Sequence, residues 1–180
     1  MVYMFLGNGF EEMEAVAPLD ILRRAGIPAM TVGISEKIVR GSHDICMEAD
    51  ITLEQLDLTN LEMIIVPGGR DGVAAISSCT EAMDALKFAW DNGKFVAAIC
   101  AGPSVLAALG IADGKNATCY PGWEPKMGSA NIIPDAACVR DGKLITGTSA
   151  GCSVPFGLAL VEALKGAEVA KAVAELMVIR

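Results

Sequence analysis

The chain has 180 residues, 53% of them hydrophobic, and carries 14 Lys and Arg against 22 Asp and Glu, a net charge of −8. That length predicts one domain spanning 1–180, and the hydrophobic content suits strands buried on both faces. An acidic chain with no basic face excludes nucleic acid as a partner, because phosphates need Lys and Arg to neutralise them.

The first residues, "MVYMFLGNGFEEMEA", are apolar and then acidic, without the basic start of a secretory leader. "VYMFLG" (2–7) predicts a strand, 11–25 a helix ending at Gly26, and "AMTVGI" (29–34) a second strand. "DICMEADITLEQL" (44–56) alternates and predicts a short hairpin or excursion. "MIIVPGG" (63–69) predicts a strand closed by a glycine turn, and "TEAMDALKFAWDNG" (80–93) a helix stopped at Gly93. "FVAAIC" (95–100) predicts a strand, 101–110 a helix and "ATCYP" (117–121) a short strand. "ACVRDGKLITG" (137–147) holds an Asp-Gly turn between two apolar runs, the mark of a hairpin. Helices are expected over 151–165 and 168–176. Alternating strands and helices predict an α/β fold, a mostly parallel sheet with helices on both faces. Its functional groups should collect at the carboxyl ends of the strands.

Residues 95–112 carry no charge, but Gly102, Pro103 and Ser104 interrupt them, so no membrane span is expected. The six cysteines, at 46, 79, 100, 119, 138 and 152, make no C-x-x-C pair. That spacing predicts no metal site, and with no leader it predicts a reduced, cytoplasmic chain.

In "AICAG", Cys100 ends a strand and precedes a helix, with small residues around it. This is the pattern of a nucleophile elbow: a tight, strained turn that lifts the side chain out of the sheet. A thiol at a helix N-terminus is expected to ionise more readily than at its reference pKa of about 8.5. Glu14 lies beside the apolar stripe Met13, Val16 or Ala17, Leu19 and Leu22. Pro18, four residues on, predicts a kink near Glu14 or a helix that starts after it. The pattern leaves open whether Glu14 faces inward or solvent. Gly68-Gly69 is either a plain turn or a source of exposed N–H groups for an oxyanion.

"GNGFEE" (7–12) lacks the third glycine of a dinucleotide fingerprint, so no cofactor is expected. "GTSAG" (147–151) matches G-x-S-x-G, but the only histidine, His43, lies upstream rather than downstream of Ser149. Thr148 and Ser149 are therefore expected to cap the next helix or line a pocket. His43 sits in a loop, either reaching a pocket or exposed.

"GFEEMEAVAPLDILRRAGI", "VPGG", "AAICAGPSVLA" and "GLALVEAL" occur in order over nearly the whole chain. In these segments the sequence resembles the ThiJ/PfpI superfamily, in its DJ-one (ThiJ) branch. The resemblance implies a flavodoxin-like three-layer sandwich and a homodimer, for which the Glu14–Pro18 region is the candidate surface. It implies that Cys100 is the nucleophile, that Glu14 hydrogen-bonds to its sulfur, and that the Gly69 and Ala101 N–H groups form an oxyanion pocket. Tyr120 stands where the family often has a histidine, Thr148 where it has an arginine, and His43 near another arginine position, so the pocket is rebuilt. Ala101 stands where peptidase members have a histidine, which argues against peptidase activity. The implied partner is a small carbonyl compound, processed by glyoxalase or deglycase chemistry without a cofactor. The other reading is an oxidant, sensed at Cys100 without turnover.

Overall fold

In the computed structural model, which describes residues 1–179, β1 (Val2–Leu6) leads into α1 (Glu12–Arg24) and β2 (Ala29–Gly33). A small antiparallel pair follows, β3 (Ile38–Arg40) with β4 (Cys46–Glu48), then the short β5 (Ile51–Thr52). Next come β6 (Met63–Val66), α2 (Arg70–Ser78), α3 (Thr80–Asp91), β7 (Phe95–Ile99) and α4 (Pro103–Ala108). β8 (Asn116–Ala117) pairs with β9 (Asn131–Ile132) outside the main sheet. The chain closes with the hairpin β10 (Cys138–Asp141) and β11 (Leu144–Gly147), then α5 (Ser153–Lys165) and α6 (Ala167–Leu176).

The seven-stranded sheet has the order β10-β11-β7-β6-β1-β2-β5. Every neighbouring pair is parallel except the β10–β11 hairpin. β1, β6 and β7 are buried along their whole length, which is why they read as unbroken apolar runs. Their side chains alternate between two cores. Tyr3, Phe5, Ile64, Val66, Val96 and Ala98 face the layer of α2, α3 and α4. Met4, Leu6, Met63, Ile65, Ala97 and Ile99 face the layer that holds α1 and α5. The expected three-layer arrangement is what the chain adopts.

Several local expectations are corrected. α1 begins at Glu12, before Glu14, and runs unbroken past Pro18. The Glu11 side chain caps it by accepting the Glu14 N–H at 2.8 Å, which fixes the start ahead of the proline. Leu19 and Leu22 are buried as the stripe requires, but Met13 and Val16 are exposed. Of the strand expected over 117–121 only Ala117 is in a strand, at the end of β8, and the helix expected from 101 starts at Pro103, the favoured first position for proline. α2 is an element that the sequence pattern does not announce. Its Gly72 weakens the helical pattern, yet a Cβ there would lie 2.7 Å from the Phe10 N, so the helix can approach the β1–α1 turn only with glycine.

α1 and α5 meet at another such contact. A Cβ on Gly157 would stand 2.7 Å from Ile21 Cδ1 and 3.1 Å from Pro18 Cα, in a fully packed layer. Gly157→Ala is expected to lower unfolding free energy by about 1–3 kcal/mol through overpacking, read from the urea midpoint at constant slope. An unchanged midpoint would show that the two helices can separate freely.

Candidate active site

Three turns at the carboxyl edge of the sheet converge: β1 to α1, β6 to α2, and β7 to α4. Cys100 follows the last residue of β7 with φ at 64°, the left-handed region that non-glycine residues rarely enter. Strain of this kind amounts to about 1–3 kcal/mol and persists only where the surroundings hold it. Here the Cys100 N–H donates to Gly147 O at 2.9 Å, Tyr120 N–H donates to Cys100 O at 2.8 Å, and Gly102 N–H donates to Ile99 O at 2.9 Å. A Cβ on Gly102 would lie 2.5 Å from Val66 O and 3.1 Å from Pro67 O, so a bare glycine lets the β7 turn abut the β6 turn.

Glu14 is fully buried and faces this corner. Its Oε2 accepts the Gly68 N–H at 2.8 Å. Its Oε1 is buried with no conventional hydrogen-bond partner. A Cβ on Gly68 would clash with Glu14 Oε2 and would lie 3.0 Å from Cys100 Sγ. Carboxyl and sulfur thus border the space that Gly68 leaves empty. Gly69, with φ at 87°, packs against the Glu11 N and Phe10 backbone, and its N–H and that of Ala101 lie against the sulfur.

Burial pushes the Glu14 carboxyl up to about 7, opposed by its hydrogen bonds with Cys100 and Gly68. Burial also pushes the Cys100 thiol up to about 12, reinforced by the Glu14 charge, while the Ala101 and Gly69 N–H groups pull it down. The easily ionised lone thiol expected at a helix N-terminus is therefore corrected: burial of the sulfur, and next the Glu14 carboxyl beside it, outweigh the N–H groups. The pair behaves as one unit that releases a first proton near 7 and keeps the second to about 12. In the one-proton state Glu14 is therefore the carboxylate and the remaining proton is on Cys100, so the carboxylate stands beside the thiol as a base.

The other expected site residues separate. Tyr120 is tied to Cys100 through its backbone, while its side chain is exposed. Thr148 is bound into structure: its hydroxyl donates to Ala136 O and pairs with the Thr118 hydroxyl at 2.9 Å. Ser149 makes no capping bond; its Oγ lies 3.8 Å from Cys152 Sγ. His43 is exposed and bonded to Glu12, with Nδ1 2.9 Å from Oε2 and its N–H donating to Oε1 at 2.7 Å. Burial alone would raise the Glu12 pKa, but His43 and Ser42 outweigh it and hold the carboxylate down at about 2. The same bond raises the His43 pKa. Glu11, Glu12 and His43 bring metal-ligand atom types within 4.8 Å of one another. Glu12 is committed to His43 and Ser42, and Glu11 to the cap of α1.

A cleft of about 450 Å³ opens beside Gly69, lined by Gly9, Ser42, Gly69, Arg70, Asp71 and Trp123. Sequence reasoning does not single out Ser42, Arg70 or Trp123. Arg70 follows Gly69 directly and Trp123 comes three residues after Tyr120, which is the signal the sequence carries for them.

Among the described residues, no helix is long and apolar enough to cross a membrane. Residues 1–163 match the DJ-1/PfpI family. The chain is 35% identical over 174 residues to protein dj-1beta of Drosophila melanogaster, covering 96% of this chain and 93% of that one. The crystal structure of Drosophila melanogaster DJ-1beta superposes with a TM-score of 0.94 at 34% identity, covering 99% of this chain and 97% of that chain. A glutathione-independent glyoxalase of Caenorhabditis elegans is 31% identical, over 88% of this chain and 84% of that one. A deglycase of Pyrococcus abyssi is 27% identical, over 81% and 87%. By sequence over most of its length and by fold over nearly all of it, the chain belongs to the DJ-1/PfpI family.

Proposed function

We propose that this chain is a cofactor-independent enzyme on small reactive carbonyls, of glyoxalase or deglycase type, with Cys100 as nucleophile and Glu14 as acid and base. The observation that carries the reading is the Cys100 sulfur held in a strained turn, between two backbone N–H groups and a buried carboxyl with an orphaned oxygen. A glyoxalase and a deglycase among the relatives support it.

The Glu14 carboxylate takes the Cys100 proton as the sulfur adds to the aldehyde carbon of a 2-oxoaldehyde. The carbonyl π electrons move to oxygen, and Glu14 supplies the proton that makes the hemithioacetal. The resulting Glu14 carboxylate removes the hydrogen from the former aldehyde carbon and returns it to the neighbouring carbon, while the hydroxyl proton passes from the first oxygen to the second. The product is a thioester of a 2-hydroxy acid. Water hydrolyses it, releasing the acid and restoring the thiol. The Gly69 and Ala101 N–H groups steady negative charge at the reacting centre. Tyr120 orients substrate at most, since tyrosine is a poor base at neutral pH. The mechanism needs Cys100 as a free thiol, which favours a reducing cytoplasm. It also treats residues 1–180 as one domain.

A second reading has its own support. Glu14 is buried beside Cys100 with Oε1 unpartnered, and its protonated carboxyl would donate to an oxygen on sulfur, stabilising an oxidised Cys100 as a sulfinate. In that reading the partner is an oxidant and there is no turnover.

We also propose a homodimer through α1, whose Met13 and Val16 are exposed at 57% and 47%, an unusual surface for an apolar pair on one helix turn.

Methylglyoxal consumption is expected to fall about 100-fold or more in Cys100→Ser and in Glu14→Gln. The rise of kcat/KM through pH 7 should vanish in Glu14→Gln, since it reflects the first proton of the pair. Equal rates in all three proteins would remove the enzymatic reading, and oxygen on Cys100 by intact mass after mild peroxide would then favour the second.

Stability reports the same proton. The folded pKa of about 7 lies above the ordinary 4.5, so the folded chain holds this proton more tightly. That contribution is complete below pH 4.5 and is lost as pH rises through 7. The loss amounts to about 3 kcal/mol, at about 1.4 kcal/mol per unit. Glu14→Gln lacks it, so urea unfolding at pH 4.5 and at about pH 8 should show a smaller decline for the variant than for wild type. Parallel curves would contradict a proton-holding Glu14. For the dimer, Val16→Asp should sediment as a monomer where wild type sediments as a dimer; identical sedimentation would rule out that surface.

A further inference from the structure

The cleft beside Gly69 has two walls, and the backbone ties each of them to Cys100. On one side Gly69, whose N–H lies against the sulfur, is followed at once by Arg70, the first residue of α2. On the other, Tyr120 N–H donates to Cys100 O at 2.8 Å, and Trp123 N–H donates to Tyr120 O at 2.9 Å. Arg70 and Trp123 thus border one space of about 450 Å³. Trp123 is half-buried, and Lys126 Nζ lies 4.0 Å from the centre of its ring.

Arg70 differs from the other described arginines. The guanidinium groups of Arg23, Arg24, Arg40 and Arg140 each donate a hydrogen bond to an oxygen of this chain. Among the described residues, Arg70 has one ion pair, with Asp71 at 3.8 Å, which is beyond hydrogen-bond length. Its planar fork of donors, which matches a carboxylate, is left without an acceptor beside the nucleophile. In a chain of net charge −8, that fork is the local feature that would favour an anion there. Asp71 borders the same cleft and opposes an anion, so the two side chains together set the preference.

We propose that Arg70 is a specificity residue of this site and pairs with a carboxylate at the far end of the substrate. The preferred substrates are then 2-oxoaldehydes that carry an acid group, with their connecting carbons along Trp123. The reaction rests on the carbonyl-enzyme reading above; the recognition of the anion does not.

Two comparisons in the full chain test this, after circular dichroism has confirmed the fold of each variant. Arg70 and Asp71 are exposed at 86% and 82%, so neither substitution disturbs the core. The first comparison needs no turnover. Cys100 is alkylated by 3-maleimidopropionate and by its uncharged amide, and the two rates are read from the mass of the Cys100 peptide. The ratio of acid to amide is expected to fall about 10-fold in Arg70→Gln, to fall less in Arg70→Lys and to rise in Asp71→Asn. Lys94→Gln removes the same charge just before β7, at the opposite end of that strand from Cys100, and should leave the ratio as in wild type. In the second comparison, kcat/KM for 4,5-dioxopentanoate relative to its methyl ester should fall by a similar factor in Arg70→Gln, mainly through KM. An unchanged maleimide ratio in Arg70→Gln, or an equal fall in Lys94→Gln, would overturn the proposal whatever the turnover. A shifted maleimide ratio with neither oxoaldehyde consumed by wild type would support anion recognition at Arg70 and remove the enzymatic reading instead.

Discussion

The site depends on one constraint: two acidic groups, the Glu14 carboxyl and the Cys100 thiol, are buried so close that they cannot both be charged. Neither group is unusual in isolation. Burial raises both, and the repulsion between carboxylate and thiolate makes the pair hold its last proton more tightly than a free thiol would. A thiol and a carboxyl that share their protons are thereby set side by side.

The rest of the carboxyl edge exists to hold that proximity. Gly68 leaves room for both side chains, Gly102 lets the β7 turn sit on the β6 turn, and Gly72 lets α2 close against the β1–α1 turn. The three glycines act at close contacts, so each position tolerates no Cβ for steric reasons. Cys100 is held at positive φ by bonds to Gly147 and Tyr120, and the strain is met by strands packed on both faces. Glu14 is aimed inward by the Glu11 cap, which sets the start of α1, and by the Gly68 N–H, which donates to its carboxylate. A rigid parallel sheet is what allows a loop-borne sulfur to be positioned this closely.

Much of this is legible in the residues, for reasons that can be named. β1, β6 and β7 read correctly because strands buried on both faces are continuous apolar runs. Cys100 stands out because a strand end, a thiol and flanking small residues together mark a tight turn that presents its side chain. What stays hidden is equally physical. α2 is concealed because the glycine that serves tertiary packing spoils the helical pattern. The direction of Glu14 is undecidable because Met13 and Val16 carry the apolar pattern onto the exposed face of α1. The direction of the thiol shift escapes the sequence because a helix terminus is visible there, whereas the burial of the sulfur and a carboxyl brought from another element are not. Whether His43 reaches a pocket stays open in the sequence, because its partner Glu12 lies 31 residues away.

The departures at Tyr120, Thr148 and His43 sharpen the chemical logic. Thr148 has its hydroxyl bound into structure and His43 is bonded to Glu12, so neither is free to exchange protons at the sulfur. If Tyr120 only orients substrate, the site owns a single mobile proton. On the proposed carbonyl chemistry, Glu14 would handle the protons in sequence: taken from the thiol, given to the carbonyl oxygen, taken from carbon, returned to the next carbon, with the hydroxyl proton passed between the two oxygens. A single shuttle suits an isomerisation, in which the proton removed is the proton restored. It suits a hydrolysis less well, because the attacking water must lose a proton while the departing thiolate gains one. On that reading the thioester would be the slow point of the cycle, and acylated Cys100 rather than the hemithioacetal would accumulate.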